Sequence, residues 1–214
     1  MNAAEILPCG FDAFLLVDSS GSIGKLFFDN IVKPFAHLLV EEINHRYLID
    51  GGNTRLALLS FSRLATINLQ LADGTSVKAI HDEIDSLVFQ GSFTHIVQYS
   101  RLASDALRLG REGVPKKLIL LTDGAPVANT DTNQDENIDN LVQLIIEIGN
   151  EADPIETSVI GFKGLETDME ELLKNLRQFR DANALVTSHL DLGDGAAVAA
   201  ADKLGQTCPS KFFV

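Results

Sequence analysis

Residues 13–22 read AFLLVDSSGS, and this stretch decides the fold. Its first part, Ala13–Val17, is an uninterrupted apolar run of strand length, which is typical of a strand covered on both faces of a sheet. Asp18 ends the run, and a turn of small and hydroxyl-bearing residues follows. In open α/β sheets, ligands bind beyond the carboxyl ends of the strands. The stretch therefore predicts a buried strand that leads into a binding site.

The rest of the chain alternates strand-like and helix-like segments. Further strands are predicted over Arg55–Phe61, Thr66–Leu71, Lys117–Thr122, Thr157–Phe162 and Ala184–Thr187. Helices are predicted over Phe28–Asn44, Val77–Val88, Ile96–Arg108, Asp139–Ile148, Asp168–Phe179 and Gly195–Leu204. Pro34 should kink or restart the first helix. The strands Arg55–Phe61 and Thr66–Leu71 are too close for a helical crossover, so we expect an antiparallel hairpin.

This order predicts a doubly wound, Rossmann-like α/β fold. The sheet should be mainly parallel, with helices on both faces and one antiparallel edge strand. No repeat, low-complexity tract or Pro/Ser-rich linker divides the chain. A length of 214 residues favours a single large domain, so we expect one domain over residues 1–214.

The charge of the chain excludes several classes of partner. Against 17 basic side chains there are 30 acidic ones, which gives a net charge of −13. A field of that sign repels nucleic acids and anionic membranes. Apolar runs such as Ala13–Val17 are too short to span a bilayer, so we expect no membrane insertion. Met1–Gly10 does not resemble a signal peptide.

Two cysteines, Cys9 and Cys208, lie near the ends of the sequence. They are either two separate buried thiols or one disulfide that joins the two ends of the domain. A disulfide would indicate an oxidising compartment. Both readings remain open on the sequence.

Three segments supply oxygen ligands suited to a hard cation. Asp18, Ser20 and Ser22 form an Asp-x-Ser-x-Ser motif, Thr94 precedes a predicted helix, and Asp123 follows a predicted strand. Carboxylates and hydroxyls suit Mg²⁺, with Mn²⁺ or Ca²⁺ as further possibilities, and do not suit zinc. Taken alone, residues 18–22 also fit a helix N-cap and turn.

Together the three segments resemble the metal-ion-dependent adhesion site of von Willebrand factor A domains, also called integrin I domains. The resemblance implies a six-stranded sheet of order 3-2-1-4-5-6 with strand 3 antiparallel. It implies that Ser20 and Ser22 bind the metal directly, with Thr94 direct or through water. Asp18 and Asp123 would act mostly through water. The ion would then attract a carboxylate of a protein or glycan ligand.

One position departs from the family pattern. Ser92 stands where the family often has a second glycine, and His95 follows Thr94. We expect His95 to lie at a helix start or on the rim of the site, not to bind the metal.

A narrower resemblance is to the thrombospondin-related anonymous protein and micronemal adhesins of apicomplexan parasites. It rests on Cys9, Cys208 and Pro34. It implies an extracellular domain of a membrane-anchored adhesin that serves gliding motility and host-cell attachment. The alternative is an intracellular Mg²⁺-binding A domain that acts as an assembly part of a larger complex.

The sequence was searched for common catalytic, nucleotide-binding and calcium-binding motifs. No nucleophile elbow, Walker loop or Gly-x-Gly-x-x-Gly motif occurs. The acidic segment from Asp131 to Asp139 imitates the start of an EF-hand, but Glu136 and Val142 replace the glycine and glutamate that such a loop needs. We therefore expect a binding domain and not an enzyme.

Overall fold

The computed structural model describes residues 10–123, 138–161, 182–186 and 194–204. Within these ranges a six-stranded sheet has the order β3-β2-β1-β4-β5-β6. Its strands are β1 Asp12–Asp18, β2 Arg55–Phe61, β3 Ala65–Leu69, β4 Lys116–Thr122, β5 Ile155–Gly161 and β6 Ala182–Val186. Only β3 runs antiparallel to its neighbour. The predicted fold class, strand order and hairpin are confirmed.

Helices cover both faces of this sheet. They are α1 Lys25–Phe27, α2 Lys33–Tyr47, α3 Val77–Ser86, α4 Ile96–Arg108, α5 Ile138–Gly149 and α6 Asp194–Leu204. A π-helical turn, Phe28–Val32, joins α1 to α2, and Pro34 stands in the first turn of α2. The predicted helix over Phe28–Asn44 is therefore not broken: its first five residues form the π-helical turn, and α2 follows without a gap. Pro34, which has no N–H, lies in the first turn of α2, where a proline is tolerated.

The central strand β1 is buried on both faces, as its apolar run predicts. Ala13, Leu15 and Val17 pack in the core on the side of α2 and α6. Phe14 and Leu16 pack on the side of α4 and α5. Because successive side chains of a strand point to opposite faces, both layers depend on the same strand. The end of β1 is thereby held firmly where the candidate site begins.

Several predicted bounds differ from the observed ones by one or two residues. β5 begins at Ile155 and not at Thr157, and β3 ends at Leu69 and not at Leu71. The predicted helix Asp168–Phe179 lies outside the described residues. In the described part of the chain, no helix is long and apolar enough to cross a membrane.

Candidate metal site

Two neighbouring strands bring the candidate carboxylates to one edge of the sheet. β1 and β4 are parallel, with Val17 opposite Leu121, so both end at the same edge. Asp18 is the last residue of β1, and Asp123 directly follows β4. Asp18 is fully buried, and Asp123 is 7% exposed. The structure thus brings these two predicted residues together at the carboxyl ends of the strands.

The loop after β1 is folded around the Asp18 carboxylate. The backbone N–H of Ser20 donates to Asp18 Oδ1 at 2.8 Å. The hydroxyl of Thr122 donates to Asp18 Oδ2, also at 2.8 Å. The hydroxyl oxygens of Ser20 and Ser22 lie 3.1 Å apart. Three of the predicted residues therefore share one compact loop, with two hydroxyls side by side.

A second loop, which carries Thr94, is hydrogen-bonded to the first. Gly21 N–H donates to the Ser92 carbonyl at 2.8 Å, and Gly91 N–H donates to the Ser19 carbonyl at 3.0 Å. A Cβ on Gly21 would lie only 3.3 Å from the Gly91 carbonyl oxygen, so the close approach favours glycine there. Thr94 itself is buried, at 3% exposure. The two loops therefore form a single unit.

Ser62, which follows β2, fixes the chain on both sides of Thr94. Its hydroxyl donates to the Phe93 carbonyl at 2.9 Å and accepts from the Ser92 N–H at 3.2 Å. Its carbonyl accepts from the His95 N–H at 3.2 Å. These contacts hold the backbone around Thr94 while α4 begins at Ile96. His95 is the N-cap residue of α4 and is buried, which confirms its predicted place at a helix start.

The electrostatics of this edge disfavour an ionised Asp18. Burial, and secondly the negative charge of Asp123, raise the pKa of Asp18 from 3.8 to about 7, although hydrogen bonds from Ser20 and Thr122 oppose the rise. Within the described residues, no Lys, Arg or His side chain forms an ion pair with Asp18. A buried carboxylate without a counter-charge carries a large desolvation cost. A cation bound here would remove that cost.

The residues at this edge fit a hard cation better than a transition metal. In the described ranges, no group of three or more His, Cys, Asp and Glu side chains could hold a metal ion. Two carboxylates and three hydroxyls remain, all of them oxygen donors, which is the chemistry that Mg²⁺ or Ca²⁺ prefers. Ser22 is exposed, so the site is open to solvent at its outer side.

Three residues that position this site were given no role from the sequence. Thr122 holds Asp18 through its hydroxyl, Ser62 holds the loop of Thr94, and Ser19 binds the Phe61 carbonyl through its N–H and its hydroxyl, at 2.8 and 2.9 Å. Thr122 lies in the strand-end Thr-Asp-Gly segment, so the parallel register of β1 and β4 would have placed it beside Asp18. Ser62 has no comparable signal, because its contacts are to backbone atoms of a distant segment.

Some predicted features lie outside the described residues. Cys9 and Cys208 are among them, so the choice between two thiols and one disulfide remains a prediction. The acidic segment up to Asn137 also falls there, whereas Asp139 lies in the first turn of α5.

Comparison with known proteins gives the same fold. Proximal thread matrix protein 1 of the mussel byssus matches with a TM-score of 0.67 at 19% identity, over 92% of this chain and 49% of that one. The PilB minor pilin of Streptococcus sanguinis matches at 0.64 and 15% identity, over 95% of this chain and 62% of that one. The SpRpn10 VWA domain matches at 0.62 and 10% identity, over 90% of this chain and 94% of that one.

The chain thus spans about half the length of the mussel protein and about three fifths of the pilin. At these levels of sequence identity, the structural similarity supports a shared fold and nothing further. A family model, the von Willebrand factor type A domain, matches residues 12–189. That range includes all six strands and each candidate site residue. The chain belongs to the von Willebrand factor type A domain family.

Proposed function

We propose that this domain binds a protein or glycan ligand through a divalent cation, with Mg²⁺ as the ion and Mn²⁺ or Ca²⁺ as substitutes. The cation would be held by Asp18, Ser20, Ser22, Thr94 and Asp123. The observation that carries this proposal is the buried Asp18 carboxylate, which lies near Asp123 and has no cationic partner among the described residues. Domains of this family generally serve adhesion or protein–protein interaction.

The ligand set explains why such a site would recognise an acidic partner. Serine and threonine hydroxyls are neutral, so a cation held mainly by Ser20, Ser22 and Thr94 keeps much of its positive charge. When bound, the ion supplies electrostatic attraction for a further carboxylate oxygen. A protein with a net charge of −13 could thereby bind an acidic partner that its own field repels.

The role of each protein group follows from its position. Thr122 and the Ser20 N–H orient the Asp18 carboxylate through their hydrogen bonds. Ser62 keeps the Thr94 loop in place through its contacts with Phe93 and Ser92. This arrangement positions oxygen donors, which suits binding without chemical turnover.

A binding assay with matched variants tests this proposal. Immobilised matrix proteins and glycans are probed with the protein in Mg²⁺ and in EDTA. We expect binding in Mg²⁺ only, and its loss in Ser20→Ala with no loss in Ser86→Ala, because Ser86 is an exposed serine at the end of α3. Binding that is equal in Mg²⁺ and EDTA, or equal in Ser20→Ala and the wild type, would contradict a metal-mediated contact.

The narrower role is an extracellular one, in an adhesin that serves parasite gliding and host-cell attachment. Its support is the sequence resemblance through Cys9, Cys208 and Pro34 alone. The alternative, an assembly part of an intracellular complex, uses the same metal site with reduced cysteines. Alkylation of the unreduced protein separates the two: blocked cysteines favour the extracellular role, and two reactive thiols favour the intracellular one.

A further inference from the structure

A cleft lies at the opposite end of β2 from the candidate metal site. It has a volume of about 440 Å³, and its apolar wall includes Phe14, Leu71, Ala106 and Leu109. Two arginines, Arg55 and Arg111, also line it. This volume is within the range of small-ligand pockets, roughly 300–1,000 Å³. We call it the Arg55 cleft.

The two arginines of the cleft differ in their partners. Arg111 is neutralised by the buried Asp12 carboxylate: its Nε and Nη2 donate to Oδ1 at 2.9 and 2.6 Å, and its backbone N–H donates to Oδ2 at 2.8 Å. Asp12 lies directly opposite Arg55 in the register of β1 and β2. Although Asp12 and Arg55 are neighbours, both oxygens of the Asp12 carboxylate accept hydrogen bonds from Arg111, and neither accepts one from Arg55.

The side chain of Arg55 has no hydrogen bond or ion pair within the described ranges, although its backbone N–H donates to the Phe11 carbonyl. Its Nε is buried without an acceptor. In contrast, Arg46, Arg101 and Arg108 are each paired with a carboxylate. Buried polar groups of native proteins nearly always have partners, so a cationic group left unpaired beside a cleft points to a ligand.

The chemistry of the cleft defines that ligand. Two guanidinium groups against one carboxylate leave a single positive charge, which favours a monoanion. The apolar wall, with Leu109 at 89% exposure, favours an apolar group beside that charge. We infer that the Arg55 cleft binds a small carboxylate with an apolar body, whose carboxylate pairs with the Arg55 guanidinium.

A titration followed by amide NMR tests this inference, with hydrocinnamate as the probe and its uncharged amide as the matched control. EDTA is present throughout, so that a metal at the other end of the sheet cannot capture the carboxylate. We expect saturable shifts of the Ala72 and Gly110 amides, which line the cleft. The amide probe should bind at least about tenfold more weakly, because a hydrogen bond to a charged group is worth about one power of ten or more.

Two pairs of variants locate the contact. Arg55→Gln should weaken hydrocinnamate at least about tenfold, whereas Arg63→Gln, at an exposed arginine beyond the other end of β2, should not. Leu109→Asp should also weaken it, whereas Leu102→Asp on the exposed side of α4 should not. The Leu109 change is at an exposed position, so it tests the cleft even if Arg55→Gln fails to fold.

Three results would overturn the inference: no saturable shift at the cleft, equal binding of acid and amide, or unchanged binding in both Arg55→Gln and Leu109→Asp. Because the assay contains no free metal, each of these results leaves the proposal for the metal site unaffected.

Discussion

Replacing Asp18 by asparagine separates the charge of this side chain from its shape. The folded-state pKa of Asp18, about 7, lies above its ordinary value of 3.8. The stability that the carboxyl contributes is therefore complete below about pH 4 and is lost as the pH rises through about 7, since the metal-free fold disfavours ionisation. At about 1.4 kcal/mol for each pH unit, the loss at alkaline pH comes to about 4 kcal/mol.

Asparagine avoids that loss but gives up one hydrogen-bond acceptor. Thr122 and the Ser20 N–H donate to different oxygens of Asp18, and the amide side chain has only one oxygen. A buried donor that is left without its acceptor costs about 1–2 kcal/mol. We therefore expect Asp18→Asn to raise the free energy of unfolding of the metal-free protein by about 2–3 kcal/mol at alkaline pH.

Urea unfolding followed by circular dichroism, at about pH 8 in EDTA and in millimolar Mg²⁺, measures both effects. The wild type should gain about 3 kcal/mol from Mg²⁺ at a concentration about 100-fold above the dissociation constant, and Asp18→Asn should gain nothing. Asp82→Asn, at an exposed carboxylate of α3, should behave as the wild type. The reasoning is refuted if Asp18→Asn is less stable than the wild type in EDTA and still gains stability from Mg²⁺.

Two further predictions concern the loop of Thr94 and the chain ends. Gly91→Ala should lower the free energy of unfolding by about 1–3 kcal/mol and weaken Mg²⁺ binding, because Gly91 has a φ of 67° and an added Cβ would lie 2.8 Å from the Phe89 ring. Gly113→Ala, at a φ of 71° with no atom near an added Cβ, should cost only about 1 kcal/mol and leave Mg²⁺ binding unchanged, as thermal and calorimetric titrations would show. The intact mass of the unreduced protein should be lower by two hydrogen atoms than that of the reduced protein if Cys9 and Cys208 are bridged; equal masses would exclude the bridge.

The sheet could be predicted from the sequence where apolar runs are continuous. β2 and α4 have the bounds that the pattern predicts. The predicted start of β5, Thr157, is two residues later than the observed Ile155, because Glu156 interrupts the apolar pattern. In the fold, Glu156 accepts a hydrogen bond from the buried Lys117 of β4, so the charge is neutralised inside the sheet. An ion pair between side chains of two different strands cannot be predicted from the sequence of either strand alone.

The candidate site also has some features that the sequence predicts and others that it does not. The motif residues Asp18, Ser20 and Ser22 are neighbours in sequence, so their shared loop could be predicted. The anchoring of Thr94 could not, because it depends on Ser62, some thirty residues earlier in the chain. The spacing of residues in the sequence identifies the oxygen ligands of the candidate site. The positions of these ligands depend on tertiary contacts, which are visible only in the folded chain.

The central claim is that one cation binds at the carboxyl ends of β1 and β4. A crystal grown with Mn²⁺ and measured at the manganese absorption edge tests it most directly, because the anomalous signal locates the ion itself. We predict one anomalous peak in contact with the Ser20 and Ser22 hydroxyls, which is lost in crystals of Asp123→Ala. A peak elsewhere on the protein, or no peak at this edge of the sheet, would contradict the claim.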